Sequence, residues 1–297
     1  MSFFERNRNV LILHFTVLIW GFTGVLGGLI ETSALQLVWY RVLIAAITLF
    51  LYLSFTKKQI AVPKKDLFKF MGVGILVGLH WIFFFHAIKI STVSVTLVTL
   101  SALTLFTAIL EPLLNKKKIS ISDVIIGVVI ILGIYLIFKF EFQYWKGIVF
   151  GLLAAACAAV FSILNGKMVK TSSPTIITFY EMIGAWIGVS VIMLFTSQFN
   201  HAMLLSSSDI LYLLLLGSVC TALAYVLGVA VMKELSAFTV ALTTNLEPVY
   251  GIVLAMLIIG QKEQMSNGFY MGAIIVLGAV FVYPVVKTRI QNRRRIG

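Results

Sequence analysis

The sequence predicts an all-α polytopic membrane protein with ten transmembrane helices, arranged as two inverted five-helix repeats with both termini cytoplasmic. Three observations support this prediction. Hydrophobic residues make up 60% of the 297 residues and charged residues only 11%. Apolar stretches follow one another almost end to end, and the second half of the chain repeats the first. A soluble core has no room for so much apolar surface, so most of it must face lipid.

Ten apolar stretches have the length that a helix needs to cross a hydrocarbon core of about 30 Å, which takes about 20 residues. They cover residues 10–30, 34–55, 67–88, 92–114, 121–139, 147–169, 174–195, 209–232, 238–259 and 268–287. Their length, with no alternating pattern of about ten residues, favours helices over a barrel. The first stretch lacks a small-residue cleavage site and is too long for a signal peptide, so it is expected to stay as the first helix.

The net charge of +12 comes from basic residues, and their distribution among the loops predicts how the chain is oriented in the membrane. With the N-terminus inside, the outer loops hold only Lys89, Lys139, Lys146 and Lys262. The predicted cytoplasmic ends and loops hold many more, including Lys57, Lys58, Lys116, Lys117, Lys118, Lys167, Lys170, Lys233 and Arg293 to Arg295. This positive-inside bias places both termini in the cytoplasm. The terminal basic run is interpreted as a topology anchor, and no nucleic-acid partner is predicted.

An internal repeat divides the chain into residues 1–139 and 140–297. Residues 122–138 align with residues 267–283 at a constant offset, and Tyr40-Arg41 aligns with Tyr180-Glu181 at a slightly smaller one. Since five helices is an odd number, the second half must cross the membrane in the opposite sense. Inverted repeats are typical of secondary transporters, in which two similar halves expose one central site to either side.

Close helix contacts are predicted at four GxxxG motifs, because glycines let helix backbones approach. The motifs are Gly24/Gly28, Gly74/Gly78, Gly147/Gly151 and Gly184/Gly188.

Other function classes lack the motifs that they need. The chain has no GxxxxGK[ST] loop for a nucleotide and no HExxH or GxSxG pattern. Asp66, Asp123 and Asp209 stand at helix starts, where carboxylates cap free N–H groups. We therefore predict no enzyme and no cofactor. Two alternatives stay open: a non-transporting membrane scaffold or sensor, and a lipid-modifying enzyme, which would need a catalytic cluster at a membrane face.

The ten helices, the duplication and two tracts resemble the EamA-type transporters of the drug/metabolite transporter superfamily over essentially the whole chain. The tracts are HWIFFFHAIKISTVSV (80–95) and LEPVYGIVLAMLIIGQKE (246–263). The resemblance implies a secondary transporter, most often an exporter of amino acids, related metabolites or drugs, with a central cavity between the halves. Pro248 and Glu263 match the family pattern, whereas the aligned first-half positions are Leu103 and Lys118.

Glu247 is the charged residue closest to the middle of its predicted helix. An ionisable side chain at that depth costs at least about 2.5 kcal/mol, so it usually faces a cavity or a partner. Pro248 breaks the helix there and frees a carbonyl near Thr244, next to Asn245. These residues predict a proton or cation site. Since the aligned segment 99–103 has neither acid nor proline, we expect the break in the second half only. The alternative is a neutral, hydrogen-bonded glutamic acid that holds two helices together.

His80 and Trp81 are further candidates for solute or proton binding. A histidine exchanges protons near neutral pH, and a Trp face holds cationic or aromatic ligands. A purely structural His80 is the alternative, and it is the favoured interpretation for His86. No metal site is predicted, because these histidines lack a third ligand at helical spacing.

Tyr40, Arg41, Tyr180 and Glu181 occupy equivalent positions in the two repeats. Inversion places Arg41 toward the outside and Glu181 toward the cytoplasm, so the two are not an evident pair. Each either lines a gate or extends to its membrane interface.

The sequence as a whole predicts a proton- or gradient-coupled exporter of small organic solutes in the cell (inner) membrane. Its solutes are expected to be amino-acid-like or cationic metabolites, and Glu247 is the candidate coupling or binding acid. The predicted partners are the lipid bilayer and a small-molecule substrate, with no particular oligomeric state.

Overall fold

The computed structural model describes residues 3–116, 121–200 and 203–296, without the side chains of residues 3–6, 121–124, 280 and 283–296. All regular structure in these residues is helical. Lys117, Lys118 and the side chains of Asp123 and Arg293 to Arg295 lie outside the described part, so the roles predicted for them stay predictions.

The helices follow the predicted stretches closely. Their bounds are α1 Phe3–Leu29, α2 Ala34–Phe55, α3 Lys64–Ile90, α4 Val93–Leu100, α5 Leu103–Leu114, α6 Ile121–Phe140, α7 Trp145–Met168, α8 Pro174–Phe195, α9 Ser207–Gly217, α10 Ala224–Val231, α11 Ala237–Thr244, α12 Leu246–Ile258 and α13 Asn267–Ile296. A π-helical segment, Ser218–Leu223, joins α9 to α10, and short 3-10 turns cover Phe142–Tyr144 and Gly260–Glu263.

Eight helical stretches in the described chain are long and apolar enough to cross a membrane, and two shorter apolar helices cover residues 125–140 and 267–279. Seven of the long stretches are only about half buried within the protein, so much of their apolar surface remains for lipid, whereas Val93–Leu114 is largely buried. The protein is therefore an integral, multi-pass membrane protein. This confirms the predicted all-helical membrane class; the count of ten spans and the orientation stay predictions.

Both halves contain a broken helix, so the prediction of a break in the second half alone is wrong. In the first half, α4 and α5 are separated by Ser101 and Ala102, whose N–H groups donate to carbonyls three residues earlier, those of Val98 and Thr99, at 3.1 Å each. Such tight turns need no proline. In the second half, α11 ends before Asn245 and α12 begins after it.

Pro248 stands in the first turn of α12 rather than inside a continuous helix. The first four N–H groups of a helix have no partner within it, so a proline there removes no helical hydrogen bond. Pro248 is thus compatible with a helix that restarts at Leu246, and the break itself lies at Asn245.

The two breaks are connected by side-chain hydrogen bonds between the halves. The Asn245 amide nitrogen donates to the Thr104 hydroxyl at 2.5 Å and to the Ala241 carbonyl at 2.8 Å. The Thr104 hydroxyl in turn donates to the same Ala241 carbonyl at 3.3 Å. The start of α5 is therefore tied to the end of α11.

Two carboxylates cap the starts of the broken helices, at the ends that lie away from the breaks. Each carboxylate belongs to the half that does not contain the helix that it caps. Glu263 accepts from the backbone N–H of Val93 and of Ser94, both at 2.9 Å, and from the Ser94 hydroxyl at 2.8 Å. Glu111 accepts from the backbone N–H of Phe238 at 3.1 Å. Val93 and Phe238 are equivalent in the repeats. We call these contacts the Glu263 cap, at the start of α4, and the Glu111 cap, at the start of α11.

Helices α3 and α8, from opposite halves, make the most extensive helix contact through two of the predicted glycine motifs. A Cβ at Gly74 would overlap the backbone of Glu181, and one at Gly184 would overlap the backbone of Met71. Because backbone atoms have little freedom to move aside, these glycines are required by the close approach of the helices.

We expect Gly74→Ala to destabilise the protein by about 1–3 kcal/mol, because the added methyl overpacks the α3–α8 contact. Gly72→Ala is the matched control in the same helix, since a Cβ there meets no atom within 4 Å. That control should be neutral or stabilising by up to about 1 kcal/mol, owing to the better helix propensity of alanine. Thermal unfolding in detergent measures both, and equal effects of the two substitutions would contradict the close α3–α8 contact.

Candidate functional site

A central cavity lies between the two halves, where the broken helices meet. The centres of water-sized molecules can occupy about 80 Å³ of it. Both halves contribute to its wall. The polar side chains of the lining are Thr23, Arg41, His80, Ser162, Asn165, Tyr225, Thr244 and Glu247, and the aromatic ones also include Trp20, Trp81, Phe84 and Phe161.

Arg41 is held firmly in the cavity wall and is only 1% exposed. Its Nε donates to the Thr221 hydroxyl at 2.6 Å, and its guanidinium centre lies 4.0 Å from the centre of the Trp81 ring. Phe85 approaches it as well, at 5.3 Å. The Nη1 atom is buried without a hydrogen-bond partner among the described residues. The alternative in which Arg41 extends to the membrane interface is therefore wrong.

The π-helical segment brings Thr221 to Arg41. Its hydroxyl donates to the Leu216 carbonyl, five residues earlier, at 2.6 Å, while its oxygen accepts from Arg41. Gly217 lets this segment approach α2, since a Cβ there would lie 2.7 Å from Ile44 and 3.0 Å from the Arg41 carbonyl oxygen. Single π turns within α-helices frequently occur at functional sites.

Glu247 is the second residue of α12 and faces the same cavity, with 6% of its surface exposed. Its carboxylate accepts no hydrogen bond among the described contacts, unlike the hydrogen-bonded acid expected for a purely structural role. A position in the first turn of a helix favours negative charge. Thr244, one turn earlier, also lines the cavity, and its hydroxyl donates to the Val240 carbonyl at 2.9 Å.

His80 lines the cavity with one ring nitrogen already engaged. Its Nδ1 lies 2.8 Å from the Ala154 carbonyl oxygen. Since a carbonyl only accepts, Nδ1 must carry a proton, and Nε2 is the nitrogen left for a second partner. The rings of Trp81, Phe84 and Phe161 surround the imidazole at 5.3–6.4 Å between ring centres.

Glu181 lies behind the wall rather than in it, and it is fully buried, so an extension of its side chain to the interface is wrong as well. Asn165 connects it to the cavity: the amide nitrogen lies 2.9 Å from the Tyr225 hydroxyl and 3.5 Å from Glu181 Oε2. The sequence interpretation missed Asn165 and Tyr225. Asn165 was detectable as a polar residue within the apolar stretch of α7.

Three predicted site residues have other partners. The Tyr40 hydroxyl donates to the Met203 carbonyl at 2.9 Å, and the Tyr180 hydroxyl donates to the Ile60 carbonyl at 3.0 Å. Each tyrosine thus holds a loop of the opposite half, and neither lines the cavity. The amide nitrogen of Asn245 donates to Thr104 and to the Ala241 carbonyl, in the contact between the two breaks.

A second cavity of about 300 Å³ lies on one side of the first, and Met232 lines both. We call it the vestibule; Lys167, Lys170 and the Glu111 cap are part of its wall. At the opposite end of the protein, the Glu31 N–H donates to Asp209 at 3.0 Å and Lys89 donates to the Ile30 carbonyl. The Glu263 cap lies at that end too.

Comparisons with known proteins agree with this architecture. The EamA-like transporter family matches residues 8–139 and again residues 145–283. An uncharacterized transporter of Archaeoglobus fulgidus is 24% identical over 286 residues, which cover 93% of this chain and 97% of the relative. A solved crystal structure has the same fold, with a TM-score of 0.69 and 15% identity over 95% of this chain and 98% of its own. Because the family matches nearly the whole chain in two successive copies, this protein belongs to the EamA-like transporter family.

Proposed function

We propose that this protein is a secondary active transporter that exports small organic solutes by alternating access through the central cavity. The observation that carries the proposal is the cavity itself, which is lined by both halves at the meeting point of two broken helices. Transporter sites commonly lie at the interface of inverted repeats, where helix breaks supply polar groups at the membrane midplane.

In this proposal the protein crosses the cell (inner) membrane ten times, and both of its termini lie in the cytoplasm. The two shorter apolar helices, 125–140 and 267–279, supply the fifth and tenth spans. The lysine-rich vestibule then faces the cytoplasm under the positive-inside rule. In this orientation we assign the conformation to an inward-facing state, with the vestibule on the cytoplasmic side and the Glu263 cap on the outer side, as an exporter needs when it takes up its solute.

The two caps act as equivalent latches on opposite faces of the membrane. Glu263 is 4% exposed and accepts three hydrogen bonds, so its end of the protein is tightly closed. Glu111 is half-buried and borders the vestibule, where water competes for the same donors. Because the halves are inverted copies, the opposite state would bury the Glu111 cap and expose the Glu263 cap.

Glu263→Gln should open the outer side, because an amide NH₂ replaces one of the acceptors that the α4 donors require. The reporter is Ser162→Cys in the cavity wall, in a background with Cys157→Ser and Cys220→Ser. Maleimide labelling is measured from each membrane face in oriented vesicles. The reporter alone should be labelled mainly from the vestibule side, and Glu263→Gln should add labelling from the other side.

Glu111→Gln, the same chemical change at the equivalent cap, is the control and should add no outer labelling. If Glu263→Gln leaves the sidedness of labelling unchanged, the cap does not act as a latch.

Glu247 is the proposed coupling acid. It faces the cavity without a hydrogen-bond partner among the described residues, so a proton can reach its carboxylate from the solvent that fills the cavity. A gradient of one pH unit is worth about 1.4 kcal/mol per proton, which supports about a tenfold solute gradient at one-to-one exchange. A membrane potential adds about 2.3 kcal/mol per charge for each 100 mV.

Glu247→Gln should abolish solute accumulation driven by an imposed pH gradient, because the amide does not titrate, while downhill exchange continues. Liposomes are tested with L-tryptophan, tryptamine and indole-3-acetate, which differ in charge around one ring system. Accumulation above that of protein-free liposomes, into which the neutral forms of weak acids and bases pass unaided, should fall from up to about tenfold per pH unit to none. Glu234→Gln, an exposed acid near the vestibule, should behave as wild type.

Unchanged gradient-driven accumulation by Glu247→Gln would remove Glu247 from the coupling step. If wild-type protein moves none of the three probes, the transport proposal fails and the membrane scaffold or sensor is favoured.

A further inference from the structure

We infer that Arg41 binds an acidic group of the transported solute, so that the preferred solutes are small carboxylates with an aromatic body. This inference rests on the proposed function, since it takes the central cavity as the transport site, and it specifies the solute class that the cavity accepts. It narrows the amino-acid-like or cationic class that the sequence suggested to solutes that carry a carboxylate.

The Arg41 guanidinium is incompletely paired. An arginine carries five N–H donors in a planar fork, and a buried charge without a partner costs several kcal/mol. Only Nε has a hydrogen-bond partner, the Thr221 hydroxyl, and Nη1 is buried without one among the described residues. The side chain lines the cavity, so a cavity occupant can supply the missing acceptor.

The guanidinium fork of Arg41 is also held in place by its neighbours. Thr221 fixes its Nε edge, and Trp81 covers one face at 4.0 Å with Phe85 nearby at 5.3 Å. A guanidinium held in this way is preorganised, so a carboxylate loses less free energy to side-chain ordering when it binds. Planar, two-point recognition of carboxylates is the geometry for which arginine is suited.

Glu247 leaves the Arg41 guanidinium available to a solute. It faces the same cavity, yet no hydrogen bond joins it to Arg41 among the described contacts. The two opposite charges therefore face the same cavity without a direct hydrogen bond between them among the described contacts. A solute carboxylate can occupy the Nη edge of Arg41 while Glu247 stays free for a proton or for an amine on the same solute.

The rest of the wall selects the body of the solute. Aromatic rings from four helices surround the space next to Arg41, namely Trp20, Trp81, Phe84, Phe161 and Tyr225. Aromatic rings prefer edge-to-face or offset contact with another ring, which adds about 0.5–1.5 kcal/mol in known pairs. The 80 Å³ counts only the positions of water centres. The empty space around them is larger by the radius of a water molecule in every direction, which provides room for an aromatic ring.

The test compares four probes that share an indole ring and differ in the charge of the side group: indole-3-acetate, L-tryptophan, tryptamine and tryptophol. Binding to purified wild-type protein in detergent is measured by calorimetry, with no gradient present. Indole-3-acetate and L-tryptophan should bind at least roughly tenfold more tightly than tryptamine and tryptophol, since both carry a carboxylate.

Arg41→Gln should remove this preference, with at least a tenfold weaker affinity for indole-3-acetate. It should also reverse the preference in favour of tryptamine, because Glu247 is then the charge that remains in the wall. A structural loss would weaken all four probes alike and would not reverse their order. Arg41→Lys keeps the charge without the fork and should retain part of the carboxylate preference.

Arg8→Gln, the same change at an exposed position in α1, should bind all probes as wild type does. Should Arg41→Gln fail to fold, the wild-type series still decides: tryptamine or tryptophol binding as tightly as indole-3-acetate overturns the inference. A carboxylate preference that survives Arg41→Gln also overturns it. Transport of tryptamine alone in liposomes would support the proposed function and contradict this inference, which separates the two.

Discussion

The structure depends on how backbone polar groups are satisfied where two helices break inside an apolar environment. Lipid offers no hydrogen bonds, so broken helices are tolerated only where other parts of the protein supply partners. Here the starts of both broken helices obtain such partners from the opposite half, since Glu263 caps α4 and Glu111 caps α11. At the breaks themselves, Asn245 joins the two halves through the Thr104 hydroxyl. Each half therefore supplies hydrogen-bond partners to the other, which favours close association of the repeats.

This requirement also explains where the cavity lies. Breaks interrupt the regular packing of side chains, and the space that they leave is closed by α3, α7 and α10 around them. The restart of α12 places Glu247 in a first turn, where the helix dipole favours a carboxylate. On the other wall of the cavity, the π-helical segment turns Thr221 toward Arg41 and so holds the guanidinium in place. Both charged groups thus reach the cavity through local departures from regular α-helix.

Much of this was predictable from the sequence, and the exceptions have physical causes. Length and hydropathy predicted the helices. Depth in the apolar stretches identified His80 and Glu247, the repeat alignment identified Arg41, and the fold brings all three to one cavity. Pro248 indicated the break in the second half. The break in the first half arises from a tight turn at Ser101, which requires no particular residue type and so leaves no signal in the sequence. The partners of Tyr40 and Tyr180 are loop carbonyls far away in sequence, and such long-range backbone contacts leave no local pattern.

The inverted repeat also separates residues that hold the fold from residues that carry chemistry. Features present in both halves hold the fold: the breaks, the helix starts at Val93 and Phe238 that accept a carboxylate cap, and the two tyrosines that hold a loop of the opposite half. The cap carboxylates themselves, Glu263 and Glu111, come from positions that do not align. The cavity charges are the asymmetric features, because Arg41 aligns with Glu181 and Glu247 aligns with Ala102. A symmetric site would place like charges opposite each other across the axis, and like charges repel. Divergence at these two positions therefore gives the cavity one cation and one acid, while the paired features keep the two halves able to exchange conformations.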